Sequence, residues 1–531
     1  MSTLKTDFGE FRGKKGDGVT QYLGVKYASL KDQLAVPEMV VDYGSEVVEA
    51  VEFGPRCIAM DGCGFEQSVL IQQSIETPTS PRMSGLESLN LNITVPDVKD
   101  QAPLPVMVFI HGGGYLMGAN FWPQYDMARL VKLSVEIGSP VIGVNFNYRL
   151  GVLGNLTSEE LRKAGYPGNN SLRDQKCALQ WIKTHIVGFG GHSELSVLGE
   201  SAGAVSVLNQ LFSDEPLFKR GISMSGTPLM LKPLALPVTE MAYGMVMKEL
   251  GLENATVAER IRRLLTIGPD ELVAKTPMTV PLVPFLDGDI VRCVTTFKNL
   301  GASANEVDST VPGRQWCTEL MIGDCKHDGT VEAFKGISAR KSGIAAAFST
   351  SLTKNLSSSN AARAILKAYE ITPTTSDDIA MQSILEFAND IAYYAPALAF
   401  AKSWPGKVYY YHFDEPNPWD GAFKGCSTHL LDAAFLFQGF NGMLSSEGRE
   451  VAISLAKTFI NFANGDAPWK AFDKEKGGLQ RFGPSQSSVS TFVENNDWRE
   501  WRRDTLFRLK KEGVVDLDEL SVAWDAFIAG Q

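Results

Sequence analysis

The sequence predicts an α/β protein built on a central, mostly parallel, twisted sheet with helices on both faces. Three observations predict it: nearly continuous apolar runs such as "LPVMVFI" (104–110) and "PVIGVNFNY" (140–148), helically spaced segments between and after them, and an abrupt strand-to-helix junction in "LSVLGESAGAVSVLNQLF". A strand wetted on one face alternates apolar and polar residues, whereas a strand covered on both faces is apolar throughout.

The elements follow in chain order. "VTQYLGVKYA" and "LNLNITVP" are short alternating or β-branched runs set among Gly, Pro and Asp, which predicts an antiparallel hairpin region at a sheet edge within the first hundred residues. "FWPQYDMARLVKLSVEI" has helical spacing between the two apolar runs, so a βαβ unit is expected there. "SLRDQKCALQWIKTHI" reads as a helix, "LSVLG" (195–199) as a short buried strand, and "ESAGAVSVLNQLF" as a helix that starts at once. "VAERIRRLL" and "ALAFAKSW" typify helical stretches at about 232–305 and 330–400, read as insertions roofing a cleft. "GKVYYYHF" (406–413) is a further strand and "EVAISLAKTFINFANG" (450–465) a late amphipathic helix. No clean linker divides the chain, so residues 1–531 are read as one domain.

Composition narrows the function. Hydrophobic residues make up 44% and charged residues 21% of 531, with a mean hydropathy of −0.06, the balance of a globular protein with a sizeable core. A formal net charge of −11 and the absence of a long Lys/Arg run oppose binding to phosphate backbones, so nucleic acid is not an expected partner. No apolar run reaches the roughly 18 residues of a membrane span, and the N-terminus has no apolar h-region, which points to a cytoplasmic protein. The seven Cys show neither metal-ligand spacing nor a dense disulfide framework and read as reduced thiols. The oligomeric state is left open.

The chemistry centres on Gly199-Glu200-Ser201-Ala202-Gly203. A strand ending at Gly199 and a helix starting near Ser201 force a tight, strained turn, and glycines two residues away on either side give the steric clearance it needs. A serine hydroxyl requires a base, and His412 and His429 are the candidates among six histidines when acid and base follow the nucleophile in the chain. His412 lies inside a strand; His429 follows a Gly/Ser/Thr loop and precedes an apolar helical run, so His429 is favoured. A carboxylate must hold the imidazole, and "ELMIGDCKHDGTVEAF" (319–334) offers Asp324 and Asp328, between which position alone does not choose. "HGGGY" (111–115), after a buried strand, supplies consecutive glycines whose backbone N–H groups can face a developing oxyanion; with the residue after the serine, this nominates Gly113, Gly114 and Ala202.

Together these residues resemble the type-B carboxylesterase/lipase family, the cholinesterase-like branch of the α/β-hydrolase fold. The likeness runs through "YLGVKYA", "LNLNITVP", "HGGGY", "NYRLGVLGNL", "GNNSLRDQKCALQWIKTHIVGFGG", "LGESAGAVSV", "SMSGTPL", "VPFLDGD", "GDCKHDGTVEAF" and "FINFANGDAPW". It implies a serine esterase with Ser201 as nucleophile, Asp328 as acid, His429 as base, and Gly113, Gly114 and Ala202 as oxyanion donors. Glu200 and Ser225 match family positions that support the site by hydrogen bonding behind the base. No metal or organic cofactor is implied, and the partner is a small-molecule ester.

This chain departs from the family pattern in several places. Asp328 precedes Gly329 where the family usually has Glu-Gly, so the loop must sit closer to His429, with Asp324 in reserve. Leu430 and Asp432 replace the usual Gly and Glu after the histidine. Ser88 stands where the early family disulfide from Cys57 would end, and 226–292 holds no Cys pair for the second bridge. The segment 57–85 has no Trp or Tyr and a single Phe, which argues against a quaternary-ammonium site. Leu116, Met117, Phe121 and Trp122 are candidates for an apolar pocket or, equally, ordinary core. The expected activity is hydrolysis of an uncharged, apolar ester through an acyl-enzyme. Acyl transfer or lactone opening on the same machinery, and a non-catalytic binding role, are the alternatives.

Overall fold

The computed structural model describes residues 1–98, 103–302, 310–494 and 504–531. Its strands are β1 (Ser2–Thr6), β2 (Gly9–Lys15), β3 (Val19–Lys26), β4 (Ala28–Ser29), β5 (Glu38–Met39), β6 (Val47–Ala50), β7 (Asn90–Pro96), β8 (Leu104–Ile110), β9 (Ile142–Phe146), β10 (Gly191–Glu200), β11 (Arg220–Met224), β12 (Glu319–Cys325), β13 (Lys407–Phe413), β14 (Leu479–Phe482) and β15 (Ser490–Val493). All but β4 and β5 join one sheet in the order β1-β2-β3-β7-β9-β8-β10-β11-β12-β13-β14-β15, with β6 beside β2. From β9 to β14 every neighbouring pair is parallel; β1, β2, β3 and β7 form the antiparallel edge expected of the first hundred residues, and β15 turns back at the other end.

The apolar runs are explained by burial on both faces. In β8, Val106, Val108 and Ile110 enter one core cluster while Met107 and Phe109 enter another; in β13, Val408 and Tyr410 divide from Tyr409, Tyr411 and Phe413 in the same way. The first cluster packs Trp181 and Ile182 of helix Asn170–His185 against the sheet, and the second packs Leu130 of Ala128–Glu136 with Val451, Leu455 and Phe459 of Ser446–Ala463. Each such side chain contributes roughly 1.5–3 kcal/mol by leaving water.

Helices also occupy the stretches where insertions are expected: Leu236–Glu249, Val257–Thr266 and Pro269–Lys275 share a smaller cluster with Leu153 and Leu34, and Ile344–Asn355, Ser359–Ala368 and Asp377–Ala388 pack together further on. Residues 303–305 of the first stretch lie outside the described residues. All seven cysteines are free; Cys57 lies beside Ser88 and donates to the Tyr148 carbonyl (2.9 Å), and burial pushes its thiol up to about 12. No helix among the described residues is long and apolar enough to cross a membrane.

Candidate active site

Parallel strands bring their carboxyl ends to one edge of the sheet, and Ser201, the glycine loop, Asp328 and His429 follow the ends of β10, β8, β12 and β13. Ser201 follows β10 directly and precedes helix Ala202–Asn209, with φ 54° and ψ −121°. Such a conformation costs an L-residue on the order of 1–3 kcal/mol and persists only where neighbours enforce it. They do so by contact. A methyl on Gly199 would lie 2.2 Å from the Gly203 carbonyl oxygen, and one on Gly203 would lie 2.0 Å from that of Ile110. The Ser201 N–H donates to Met224 O at 2.9 Å, which ties the elbow to β11.

The "HGGGY" loop leaves β8 and turns through positive φ at Gly113 (92°) and Gly114 (64°). Among the described residues no acceptor takes either N–H. The loop is packed on the elbow: a Cβ on Gly112 would come within 3.1 Å of Ser201 Cβ and 2.6 Å of Glu200 Oε2. Ala202 is the first residue of its helix, where backbone N–H groups have no intrahelical partner. The elbow and the glycine loop thus carry backbone N–H groups that no helix or strand ladder uses.

Asp328 and His429 meet. His429 Nδ1 is 2.8 Å from Asp328 Oδ1, and the Cys325 N–H donates to Asp328 Oδ2 at 2.8 Å. The two loops that carry them are zipped together, since His327 N–H donates to Ser427 O (2.9 Å) and Ser427 N–H donates to His327 Nδ1 (3.0 Å). Asp328 opens a short helix, Asp328–Phe334. Leu430, standing where the family usually has glycine, still takes φ 74°. Burial is the main reason the His429 imidazole is pushed down to about 4, with the Lys335 ammonium adding to it.

The reserve residues pair with each other instead. β12 runs on to Cys325, so Asp324 is a strand residue in register with His412 on β13, and His412 Nδ1 stands 3.2 Å from Asp324 Oδ1. Both side chains are buried within the sheet.

Glu200 does not sit behind the base. Its Oε1 lies 3.2 Å from His429 Nε2, the nitrogen that faces away from Asp328, yet without hydrogen-bond alignment. Burial raises its carboxyl well above the usual range, and Glu66, Asp432 and Asp328 add repulsion. Burial therefore favours the neutral form of both the carboxyl and the imidazole it faces. Ser225 has φ 51° and its buried Oγ, beside the Cys325 thiol, makes no hydrogen bond to His429. Asp432 accepts from Tyr411 OH (2.7 Å) and from Ala433 N–H (2.8 Å), and burial lifts it to about 6.

Sequence reasoning missed Glu66. It accepts from Tyr125 OH (2.6 Å) and Gln124 Nε2 (3.1 Å), and burial lifts it to about 7. Nothing in its local sequence marks it; its importance comes from Glu200, far along the chain. Tyr393 was missed for the same reason: its ring meets His429 edge-on at 5.4 Å and its hydroxyl donates to Glu332 Oε1 (2.9 Å). Of the four pocket candidates, Phe121 and Trp122 are core, while Leu116 and Met117 are only partly buried.

A carboxylesterase family profile matches residues 1–501. The chain belongs to the carboxylesterase family. Similar proteins in this family of carboxylic-ester hydrolases include Lipase 4 of Diutina rugosa, 32% identical over 313 residues that make up 54% of each chain. Lipase 3 of Yarrowia lipolytica is 26% identical over 88% of each chain, and the para-nitrobenzyl esterase of Bacillus subtilis is 25% identical over 89% of this chain and 93% of its own. The match thus spans about half the length of the first relative and most of the other two. A solved para-nitrobenzyl esterase superposes with a TM-score of 0.71 at 23% identity over 95% of this chain and 99% of that one, and a Geobacillus stearothermophilus carboxylesterase with 0.72 at 23% over 95% and 100%. These two share the α/β-hydrolase fold with this chain.

Proposed function

We propose that this carboxylesterase family member is a serine hydrolase that cleaves uncharged, apolar carboxylic esters through an acyl-enzyme. The observation that carries the reading is the His429 ring, held at Nδ1 by Asp328 at 2.8 Å beside a nucleophile elbow whose serine is strained at φ 54°. His429 Nε2 takes the Ser201 proton as Oγ bonds to the ester carbonyl carbon. The negative charge formed on the carbonyl oxygen is met by the Gly113, Gly114 and Ala202 N–H groups, preset donors that need no reorganisation. Collapse breaks the ester C–O bond, and the alcohol leaves with the proton from His429. Water then repeats the sequence on the acyl-enzyme, giving the acid and restoring Ser201.

An uncharged substrate fits a site whose Glu200 and Glu66 carboxyls are held toward their neutral forms by burial. It also fits a 57–85 segment whose one aromatic residue is Phe65, too little to surround a cation. The test is Ser201→Ala assayed with a p-nitrophenyl short-chain ester and a fluorophosphonate probe. Both turnover and labelling should vanish, with kcat falling at least ~10⁴-fold; turnover surviving in a folded variant would overturn the proposal.

A further inference from the structure

One helical element touches both the base and the residue that follows the acid. The helix Asp377–Ala388 continues into a wider, π-type turn, Asn389–Tyr394, of the kind that recurs at functional sites. At its start Asn389 Oδ1 accepts from Gly329 N–H (3.4 Å), and a Cβ on Gly329 would lie 2.2 Å from Leu385 O, so the residue after Asp328 rests directly on this helix. Four residues on, Tyr393 sets its ring edge-on to His429, with centroids 5.4 Å apart at 61°. Its hydroxyl donates to Glu332 Oε1, which Lys335 Nζ also meets at 2.9 Å. Glu332 belongs to the same short helix that Asp328 opens. The contacts therefore close a ring: Asp328 to His429, His429 to Tyr393, Tyr393 to Glu332, and back through four residues of backbone to Asp328.

A single hydrogen bond at Nδ1 is a pivot about which an imidazole can still swing, and small misplacement of a reacting group costs rate steeply. A second contact on the ring face removes that freedom. We propose that Tyr393 is a positioning residue that fixes the His429 ring relative to Asp328, working through Glu332 and Lys335. This rests on His429 acting as the base of the proposed hydrolase. The charged and titratable groups facing His429 are Asp328 and Glu332 on the short helix, Lys335 just after it, Glu200 from the elbow, Asp432 from the following helix, and Tyr393. Lys335 opposes protonation of the ring while Glu332 and Asp432 favour it.

The test compares wild type, Tyr393→Phe and Lys335→Ala for p-nitrophenyl ester hydrolysis against pH, with fluorophosphonate labelling and thermal melting alongside. Tyr393→Phe keeps the ring and breaks the link to Glu332; kcat should fall about three- to tenfold with KM within about twofold, because the loss is in orientation and not in substrate binding. Lys335→Ala removes the cation and leaves Glu332 facing the base, so the acid limb of kcat/KM should move up by about half a pH unit. Because Lys335 is half in solvent but pairs with the buried Glu332 carboxyl, kcat is taken per fluorophosphonate-labelled molecule, so that a loss of folded protein in either variant does not count as a loss of rate. Wild-type labelling at Ser201 together with an unchanged kcat per labelled molecule in Tyr393→Phe overturns the positioning role alone. Absence of labelling in wild type overturns the hydrolase reading and this one with it.

Discussion

Two histidine–aspartate pairs lie close together on neighbouring strands and the loops beyond them, and only one has the surroundings of a reaction centre. His412–Asp324 is set within β13 and β12, in register across the sheet, with Tyr410 OH also donating to Asp324 at 3.4 Å. His429–Asp328 lies past the ends of the same two strands, with Glu200 and Ser201 at the end of β10 and the glycine loop after β8 on the same side. Pairing by itself is thus a packing solution for buried polar groups. What separates the two pairs is which edge of a parallel sheet they reach and whether the second ring nitrogen faces other reactive groups.

The widest separation should come from the two histidines. His429→Gln is expected to lower kcat by roughly 10⁴–10⁶-fold at little cost in melting temperature, whereas His412→Gln should melt earlier and keep kcat within about fivefold per folded molecule. Equal losses of kcat in the two variants would falsify the distinction. The carboxylates sharpen it next: Asp328→Asn should cost about 10⁴ in kcat by upsetting the base's tautomer, while Asp324→Asn should cost about 1–3 kcal/mol of stability, read from denaturant melts, with near-normal turnover.

The smallest effect concerns what a reactive pocket costs the fold. Glu66 titrates near 7 in the folded chain against 4.5 when free. A raised pKa gives stability that is complete below pH 4.5 and is lost as pH climbs through 7. Glu66→Gln should therefore gain on wild type across that window, by on the order of 3 kcal/mol at most. Melting curves at pH 5 and pH 8 measure the gain; a difference that does not change with pH removes Glu66 from the account.

Much of this was legible in residue pattern. The two-faced burial of β8 and β10 makes their apolar runs continuous, and the junction at Ser201 is marked by Gly199 and Gly203, whose replacement by anything larger would meet backbone oxygens. Of the nominations, Asp328 and His429 meet, and Ser201 follows Glu200, whose carboxyl reaches the same imidazole. The choice between Asp324 and Asp328 was closed to local pattern because it depends on how far β12 pairs with β13, a contact across some ninety residues. The placing of Glu200 in front of the base, that of the Ser225 hydroxyl beside Cys325, and the roles of Glu66 and Tyr393 were hidden for the same reason. Each depends on a partner distant in sequence, and neither helical spacing nor turn chemistry encodes that.

Leu430 holds φ 74° with a branched side chain, a backbone form its own residue type disfavours by roughly 1–2 kcal/mol. The side chain is buried, so the surrounding core supplies what the local chain does not. The segment bearing the imidazole is consequently not portable: excised as a peptide, or grafted onto another scaffold without the walls that grip Leu430, it would relax to an ordinary turn and aim its histidine elsewhere.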